Sequence, residues 1–480
     1  MQGSSIAKVI LFLSGWVIAG WLLVAPRIEP ISINFDSSSI GEAADKLVPV
    51  EKGPYQRIFE KWATDPGLEG ALIGFCMLDG EGDTIYASPL AETALCPASA
   101  LKTVTSAAAF DLLGPEFRFE THFGSGSAMG ADGVLDGNLV LVGGGDPTLE
   151  TADLDAMVAD LVKAGLKQVT GKLVVDASIF PAQAVSDHWN WGDIGNAYGA
   201  GAFGVNLNHN RLEIPFLPGT KEGEPAKIGP GLLVAKDTRW LNRVTTGPAG
   251  SGDQVVVYSE PYGRAIMLQG TVPLGESPFI VTGALPDPPA TVSEYLMATL
   301  KAKGINLLGR EIPIAKPEVT LATHQSAALP EIVDHLHFVS DNLEAQCFFL
   351  TMGGLRKMEG GKALRSYWEQ KGVFFRGLRL IDGSGLARAT MIRPIDLAEI
   401  NHLARHGSNG DRFKQSLKEY LGGSVRAKLG AMSGVRTEVG FLTLADGREV
   451  TFALMANGLD PAFDYWPLCE DLLKSIRDYK

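Results

Sequence analysis

The sequence predicts an α+β protein in which an antiparallel sheet flanked by helices is interrupted by a large β-rich insertion. Three observations support this fold class. A strand pair and a helix are indicated near the N-terminus, a long β-rich stretch follows, and helices and strands are indicated again near the C-terminus. The two outer parts bracket a separate β region, and we expect them to build one domain together.

Two elements are predicted ahead of the insertion. Residues 70–88 contain two apolar runs on either side of a Gly/Asp turn, which indicates a β-hairpin. Residues 97–113 indicate a helix, because Pro97 suits a first turn and Gly114-Pro115 ends the pattern.

From about residue 117 to about residue 321 the pattern changes. Strand-like segments such as 137–142 and 171–176 alternate with Gly/Pro turns, and helical periodicity is scarce except at 151–164. Beyond this stretch we expect helices at 327–338, 343–352 and 394–404, antiparallel strands over 424–457, and a closing helix at 464–479. The predicted domains are a discontinuous one, 50–117 with 322–480, and an inserted region, 118–321, that could comprise two subdomains.

The N-terminus predicts export. Residues 9–25 are uncharged and follow Lys8, and their length lies between that of a signal-peptide core and a full membrane span of roughly 20 residues. We therefore assign residues 1–25 to a signal or membrane anchor. No good small-x-small cleavage site follows, which favours an uncleaved inner-membrane anchor with 26–49 as a tether. Either interpretation places the remaining chain in the periplasm or elsewhere outside the cytoplasm.

Composition narrows the functional class. Of 480 residues 45% are hydrophobic and 20% charged, as in a globular protein. The formal net charge of −13 argues against nucleic-acid binding, which needs a basic face.

The four cysteines form no CxxC pair and could be paired or simply buried. The eight histidines show no zinc pattern, and His335 and His337 lie on different faces of their predicted helix, so no metal is expected.

A glycine motif at 199–204 satisfies GxGxxG but does not predict a nucleotide site. Such a site needs a preceding strand and a following helix. A stretch rich in Trp, Asn and Gly precedes this motif, and a strand-like segment follows it. We therefore expect no cofactor.

Three short motifs occur in one order along the chain: Ser-Ala-Leu-Lys at 99–102, Ser-Asp-Asn at 340–342 and Lys-Leu-Gly at 428–430. In this order SxxK, SDN and KTG mark β-lactamases and penicillin-binding proteins. Any one of them arises by chance, and an isolated SxxK lysine is more often a surface residue. Their order, on matching local structure, makes the set informative.

The first motif suits nucleophilic catalysis. A serine hydroxyl attacks well only when a base takes its proton, and Ser99 and Lys102 share one face of the predicted helix. The positive end of the helix favours a developing alkoxide. Burial and the positive charge of Lys428 would both lower the pKa of Lys102, which is what a lysine base requires.

The other two motifs supply the remaining walls of a cleft. Ser340 could relay a proton to the leaving amine, and Asn342 suits a substrate amide. The alternative is that Ser340 or Asp341 caps the following helix, and both roles can coexist. Lys428 supplies positive charge, Gly430 allows close approach to the backbone, and the amides of Ser99 and Ala431 are candidate oxyanion donors.

These features resemble the D-alanyl-D-alanine carboxypeptidase/endopeptidase family, the class C low-molecular-mass penicillin-binding proteins. The resemblance covers roughly Leu47 to the C-terminus and includes the gap of about 240 residues between the first two motifs. It is carried by the segments PASALKTVTSAAAFDLLGPEFRF at 97–119, GNLVLVGGGDPTL at 137–149, DGSGLAR at 382–388 and AKLGAMSGV at 427–435.

The resemblance implies a penicillin-binding, β-lactamase-like transpeptidase domain and a set of residue roles. Ser99 would be the acylated nucleophile and Lys102 its base, with Ser340 and Asn342 on the second wall and Lys428 on the third. The implied partners are peptidoglycan stem peptides and, as covalent inhibitors, β-lactams.

Two further residues are implied more weakly. Asp146 and Arg388 would contact the side chain of the diamino acid in the peptide. The alternatives are a turn residue in Gly-Asp-Pro for Asp146 and a surface ion-pair partner for Arg388.

The third motif departs from the family, in which it usually reads Lys-Thr-Gly-Thr or Lys-Thr-Gly-Ser. Leu429 and Ala431 replace two hydroxyl residues that help to hold the terminal carboxylate of the substrate. One charge-assisted hydrogen bond is worth about 1.5–3 kcal/mol, so we expect these two positions to limit carboxypeptidase efficiency.

Three functions are compatible with this sequence. The first is a hydrolase that cuts D-Ala-containing wall peptides as a carboxypeptidase, an endopeptidase or both. The second is a catalytically weak member that binds wall peptides or acts as a scaffold, which Leu429 and Ala431 favour and the intact catalytic residues oppose. An esterase or amidase on the same fold is a third alternative.

Overall fold

The computed structural model describes residues 53–314 and 316–479. The predicted anchor at 9–25 and the tether at 26–49 lie outside these residues. Within the described part of the chain, no helix is long and apolar enough to cross a membrane. All four cysteines lie in this part, and each is buried with a free thiol.

A six-stranded antiparallel sheet joins the two ends of the described chain. Its first hairpin is the one predicted at 70–88, and strands from the C-terminal part continue the sheet beside it. The strands, in spatial order, are Lys418–Tyr420, Val425–Met432, Val435–Thr443, Glu449–Asn457, Leu72–Leu78 and Thr84–Ala87.

Helices cover both faces of this sheet. One face packs on Pro54–Trp62 and Tyr465–Arg477 through an apolar cluster that includes Phe75, Phe452 and Leu472. The opposite face packs on a larger helical layer with its own apolar core. The helices of that layer are Leu101–Leu112, Leu329–Val339, Asn342–Leu355, Gly360–Gln370, Pro394–Arg405 and Gly410–Ser416.

The central helix of this layer is Leu101–Leu112. Its residues from Leu101 to Phe110 are all buried, and the small side chains of Ala107, Ala108 and Ala109 allow neighbouring helices to approach closely. Because it is surrounded on all sides, the helix holds its N-terminal end at a fixed place against the sheet.

Residues 120–325 carry four smaller sheets and a second apolar core. The strand pair Glu120–Ser125 and Val319–Gln325 joins the two ends of this stretch, close to the boundary predicted from sequence. The remaining strands are Val134–Leu135, Leu139–Val142, Gln168–Val169, Leu173–Asp176, Arg211–Leu217, Lys227–Ile228, Arg239–Gly247, Val256–Tyr258, Ala265–Pro273, Phe279–Ala284 and Asn306–Leu307.

The inserted stretch contains more helix than its sequence indicated. Helix Thr151–Lys163 matches the prediction, and a four-residue helix, Trp191–Ile194, follows it. Helix Pro288–Ala302 was missed, although Asp287 caps it by accepting from the Ala290 amide and a proline opens its first turn. The capping aspartate and the proline are both helix-start signals in the sequence, but the surrounding Gly/Pro turns obscured them.

Two helices of the helical layer were also missed. Gly360–Gln370 begins with two glycines, which disfavour a helix when sequence is considered alone, and Gly410–Ser416 is only seven residues long. In Gly360–Gln370 the burial of Leu364 and Trp368 in the core outweighs the low propensity of its first residues.

Candidate active site

Ser99 lies in a tight turn that leads into the central helix. The turn, Ala98–Ala100, is a 3₁₀ helix, and the α-helix starts only at Leu101. Ser99 therefore precedes the first turn of the α-helix. Ala98 adopts a left-handed φ of 45°. Gly385 packs directly against this turn, because a Cβ at position 385 would come within 1.9 Å of the Ala98 carbonyl oxygen.

Lys102 is completely buried behind Ser99. Its Nζ lies 2.8 Å from Ser99 Oγ, and it donates to Asn342 Oδ1 at 2.6 Å and to the Ser384 carbonyl at 3.0 Å. Burial, followed by the positive charge of Lys428, lowers the pKa of Lys102 well below its ordinary value. A neutral amine has two N–H donors and one lone pair, so two fixed acceptors leave that lone pair available to the Ser99 hydroxyl proton.

The second wall lies between helices Leu329–Val339 and Asn342–Leu355. Ser340 adopts a left-handed φ of 62°, and Asp341 caps the following helix by accepting from its backbone amide at position 344. Asn342 accepts from Lys102 and donates to the Tyr198 carbonyl at 2.7 Å. The capping role therefore belongs to Asp341, and both side chains beside it are free to face the cleft.

The third wall is the strand Val425–Met432. Lys428 Nζ donates to Ser340 Oγ and to the Leu429 carbonyl, each at 2.9 Å, and burial lowers the pKa of Lys428 to about 8. Gly430 is required here, because a Cβ would lie 2.8 Å from the Ala100 amide nitrogen.

Leu429 and Ala431 project from the other face of this strand. Side chains alternate along a strand, so these two share the face of Ala427, which packs on the C-terminal helix. The residue directly opposite Leu429 in the neighbouring strand is Glu438, whose pKa burial raises to about 7. Leu429 therefore shares a strand face with Glu438 and with Ala431, and Ala431 lines the cavity described next.

The first two motifs and the residues that directly follow the third line one cavity of about 410 Å³. The inserted stretch contributes Asp193 and Tyr198 to its wall, so the cavity is formed by both parts of the molecule. The lining residues are Ser99, Asp193, Tyr198, Ser340, Asn342, Gly385, Leu386, Arg388, Ala431, Met432 and Ser433.

Of the two residues expected at the diamino acid, only Arg388 lines this cavity, where its Nη1 donates to the Ser433 carbonyl at 3.0 Å. Asp146 does not. Its side chain is fully buried, Oδ1 accepts from the amide and hydroxyl of Thr148, and Oδ2 lies 3.5 Å from His324 Nε2. The expectation for Asp146 is corrected: it is the turn residue of Gly-Asp-Pro, and Asp193 is the acidic residue that lines the cavity beside Arg388.

Sequence reasoning missed two contributors to the site. The DGSGLAR segment was used only as part of the family resemblance and Ser384 was given no role, yet the Ser384 carbonyl accepts from Lys102. Asp382 fixes this turn by accepting from the amides of Gly385 and Ala387 and from Trp189 Nε1. The position of Asp193 had no sequence signal, because no recognised motif surrounds it.

Comparison with known proteins agrees with this geometry. The model of the D-Ala-D-Ala carboxypeptidase 3 (S13) family matches residues 56–464. A D-alanyl-D-alanine carboxypeptidase from Actinomadura sp. is 30% identical over 474 residues, covering 91% of this chain and 86% of that protein. D-alanyl-D-alanine carboxypeptidase DacB from Haemophilus influenzae is 27% identical over 423 residues, covering 81% of this chain and 86% of that protein.

The fold is also shared with a solved structure. Penicillin binding protein 4 (dacB) from Haemophilus influenzae superimposes with a TM-score of 0.76 at 24% identity, covering 88% of this chain and 99% of that one. The same protein complexed with a β-lactam gives a TM-score of 0.73. The α+β, penicillin-binding fold predicted from sequence is thereby confirmed, and the chain belongs to the D-Ala-D-Ala carboxypeptidase 3 (S13) family of hydrolases.

Proposed function

We propose that this chain is a serine-type D-Ala-D-Ala carboxypeptidase and endopeptidase that acts on peptidoglycan peptides through an acyl-enzyme on Ser99. The observation that supports this most strongly is the buried Lys102 amine, 2.8 Å from Ser99 Oγ and held by two further acceptors. A scaffold without activity would have no need of a buried lysine with so low a pKa, so the weak-binder alternative is not favoured.

The chemistry follows from this arrangement. Lys102 takes the hydroxyl proton as Ser99 Oγ attacks the carbonyl carbon of the D-Ala-D-Ala bond, and the amides of Ser99 and Ala431 stabilise the oxyanion. Collapse breaks the C–N bond, and the amine leaves with the proton that Lys102 took from Ser99, relayed through Ser340, which Lys428 contacts. Water then attacks the ester carbonyl and passes a proton through Lys102 to Ser99 Oγ as the ester C–O bond breaks, which releases the shortened peptide.

Substrate recognition rests on charged groups of opposite sign in the cavity. Arg388 and Asp193 suit a side chain that ends in a carboxylate and an ammonium group, as a diamino acid does. Lys428 attracts the terminal carboxylate, but neither Leu429 nor Ala431 can add a hydrogen bond to it. Internal peptide bonds lack that carboxylate, so the endopeptidase reaction loses less from these two residues. β-Lactams, which acylate serine in the same way, are the expected covalent inhibitors.

The proposed location is the periplasm or another compartment outside the cytoplasm, with residues 9–25 as an inner-membrane anchor. Cell fractionation tests this proposal, because release of the chain as a soluble protein from the membrane fraction would instead support a cleaved signal.

We also propose that 118–321 forms a module distinct from the discontinuous catalytic domain. Limited proteolysis should cut near 117–125 or 315–330 before it cuts the catalytic domain. Resistance at both edges, with first cuts inside 340–457, would contradict this division.

The proposed activity is tested by incubating the purified chain with a peptide that ends in D-Ala-D-Ala and measuring released D-Ala. The Ser99→Ala variant is the matched control, since it removes one oxygen atom. Release by the parent and none by the variant supports the proposal. If the two proteins release equal amounts, Ser99 is not the nucleophile, and if neither shows turnover while both bind the peptide, the chain is a binding protein.

A further inference from the structure

Two histidines and one glutamate meet beside the Ser-Asp-Asn loop, in a group that the proposed reaction does not use. One carboxylate oxygen, Glu344 Oε1, lies 2.8 Å from His335 Nδ1 and 3.2 Å from His209 Nε2. One ligand atom from each of the three residues can be chosen so that all lie within 4.8 Å of one another. We call these three residues the His–Glu cluster.

The cluster joins a turn of the inserted stretch to two consecutive helices that lie far from it in sequence. His209 belongs to the turn Asn208–Asn210 of the inserted stretch and adopts a left-handed φ of 54°. The other two members come from the helices on either side of the Ser-Asp-Asn loop, Leu329–Val339 and Asn342–Leu355. Sequence reasoning compared His335 with its near neighbour His337 and could not see a partner 126 residues away.

The carboxylate of the cluster is short of positive partners. The Glu344 side chain is 1% exposed, and its second oxygen, Oε2, is buried without a hydrogen-bond partner in the part of the chain that the structure describes. The nearby Arg211 is engaged by Asp341 at 3.2 Å. A buried carboxylate is costly unless it is paired or coordinates a metal, and here both histidines approach the same oxygen.

The distances suit a small divalent cation. Zinc binds imidazole nitrogen and carboxylate oxygen at about 2.0–2.2 Å, so tetrahedral ligands stand roughly 3.3 Å apart. The two distances to Glu344 Oε1 need only small adjustments to reach this value. Two imidazoles and one carboxylate favour zinc and its neighbours over magnesium or calcium, which prefer oxygen ligands alone.

An ion can also reach the cluster. The His335 side chain is 43% exposed, and His209 lines a cavity of about 280 Å³. The same cavity is lined by Tyr198, Ser340 and Asn342, which also line the proposed active site. A bound ion would therefore have open positions for water and would lie next to the catalytic wall.

We propose that His209, His335 and Glu344 form a binding site for a divalent cation of the zinc class, which ties the inserted stretch to the helix that carries Asn342. The site lies outside the acyl-transfer chemistry and does not depend on it. The ion binds to neutral imidazoles and an ionised carboxylate. Its binding involves no oxidation or reduction.

The test uses the purified chain freed of metal with a chelator and titrated calorimetrically with Zn²⁺. We expect one ion per chain, and a His335→Gln variant should bind at least about 100-fold more weakly, since even residues that only support a metal ligand affect affinity 10- to 100-fold. Co²⁺ should produce visible absorption bands of a four-coordinate site in the parent and not in the variant. Zn²⁺ should also raise the melting temperature of the parent and not that of His335→Gln.

The matched control is His406→Gln. His402 and His406 form the other close histidine pair among the described residues, with ring centroids 4.2 Å apart, so this variant tests binding by surface histidines. Its zinc affinity should equal that of the parent. His209→Gln serves as a second variant if His335→Gln does not fold.

Three results would overturn the proposal: no zinc binding by the parent, equal binding by His335→Gln, or loss of binding in His406→Gln. None of these results concerns Ser99. Labelling of Ser99 by a β-lactam in the metal-free chain reports separately on the proposed activity, so the two proposals can fail independently.

Discussion

The two lysines of the candidate site differ in how firmly they are held. Lys102 has three oxygen partners, which come from the turn before the central helix, the Asn342 helix and the DGSG turn. Lys428 has one side-chain partner, Ser340, and otherwise bonds the carbonyl of its own neighbour. Lys102 is thus held by more contacts than Lys428, and the two residues beside Gly430 on the Lys428 strand, Leu429 and Ala431, carry no hydroxyl.

This difference separates chemistry from substrate anchoring. Proton transfer at Ser99 depends on the buried cluster around Lys102, which Leu429 and Ala431 do not touch. In the proposed reaction, anchoring of a terminal carboxylate depends on the strand Val425–Met432, where both replacements occur. We therefore expect acyl transfer to be retained and discrimination in favour of free carboxylates to be weak.

The largest effect is expected for Lys102→Met, which keeps the apolar stem and removes the amine. Loss of a positioned general base lowers rates by roughly 10²- to 10⁴-fold, and the rate of Ser99 acylation by a β-lactam measures it. Lys371→Met, at a partly exposed lysine bound to Asp111, is the control and should leave the rate unchanged. An acylation rate in Lys102→Met that stays close to that of the parent would show that another group is the base.

A smaller effect is expected for Leu429→Thr. The new hydroxyl adds one charge-assisted hydrogen bond to the substrate carboxylate, so kcat/KM on a D-Ala-D-Ala peptide should rise roughly tenfold. On a cross-linked muropeptide we expect little change. Adding Ala431→Thr should increase the gain.

Leu429→Val is the matched control, because valine has the shape of threonine without the hydroxyl. The side chain at 429 shares a strand face with Glu438, so a gain that valine reproduces, or that is equal on both substrates, would mean that position 429 acts through packing.

The smallest effect concerns pH. The pKa of Lys428 is about 8, so its charge is present below that pH and lost above it. KM for a peptide with a free carboxylate should rise about fivefold above pH 8, the equivalent of roughly 1 kcal/mol between two charges in water. A C-terminally amidated peptide should show no such rise, and a rise of equal size for both peptides would remove Lys428 from carboxylate recognition.

Much of this site could be predicted from sequence, since its three motifs are local patterns on elements that themselves have local signals. The hairpin at 70–88, the helix after Pro97 and the strand with Lys428 were all predicted for this reason. What could not be predicted depends on contacts between distant segments. Asp193 reaches the cavity only through the folding of the inserted stretch, and the buried Asp146 side chain lies 3.5 Å from His324, which is far away in sequence.

The central claim is that Ser99 is a live nucleophile activated by Lys102, and mass spectrometry of the intact chain after incubation with a penicillin tests it most directly. We predict one covalent adduct per chain, located on the peptide that contains Ser99 and absent from Ser99→Ala. An unmodified parent, or an adduct that persists in Ser99→Ala, would contradict the account.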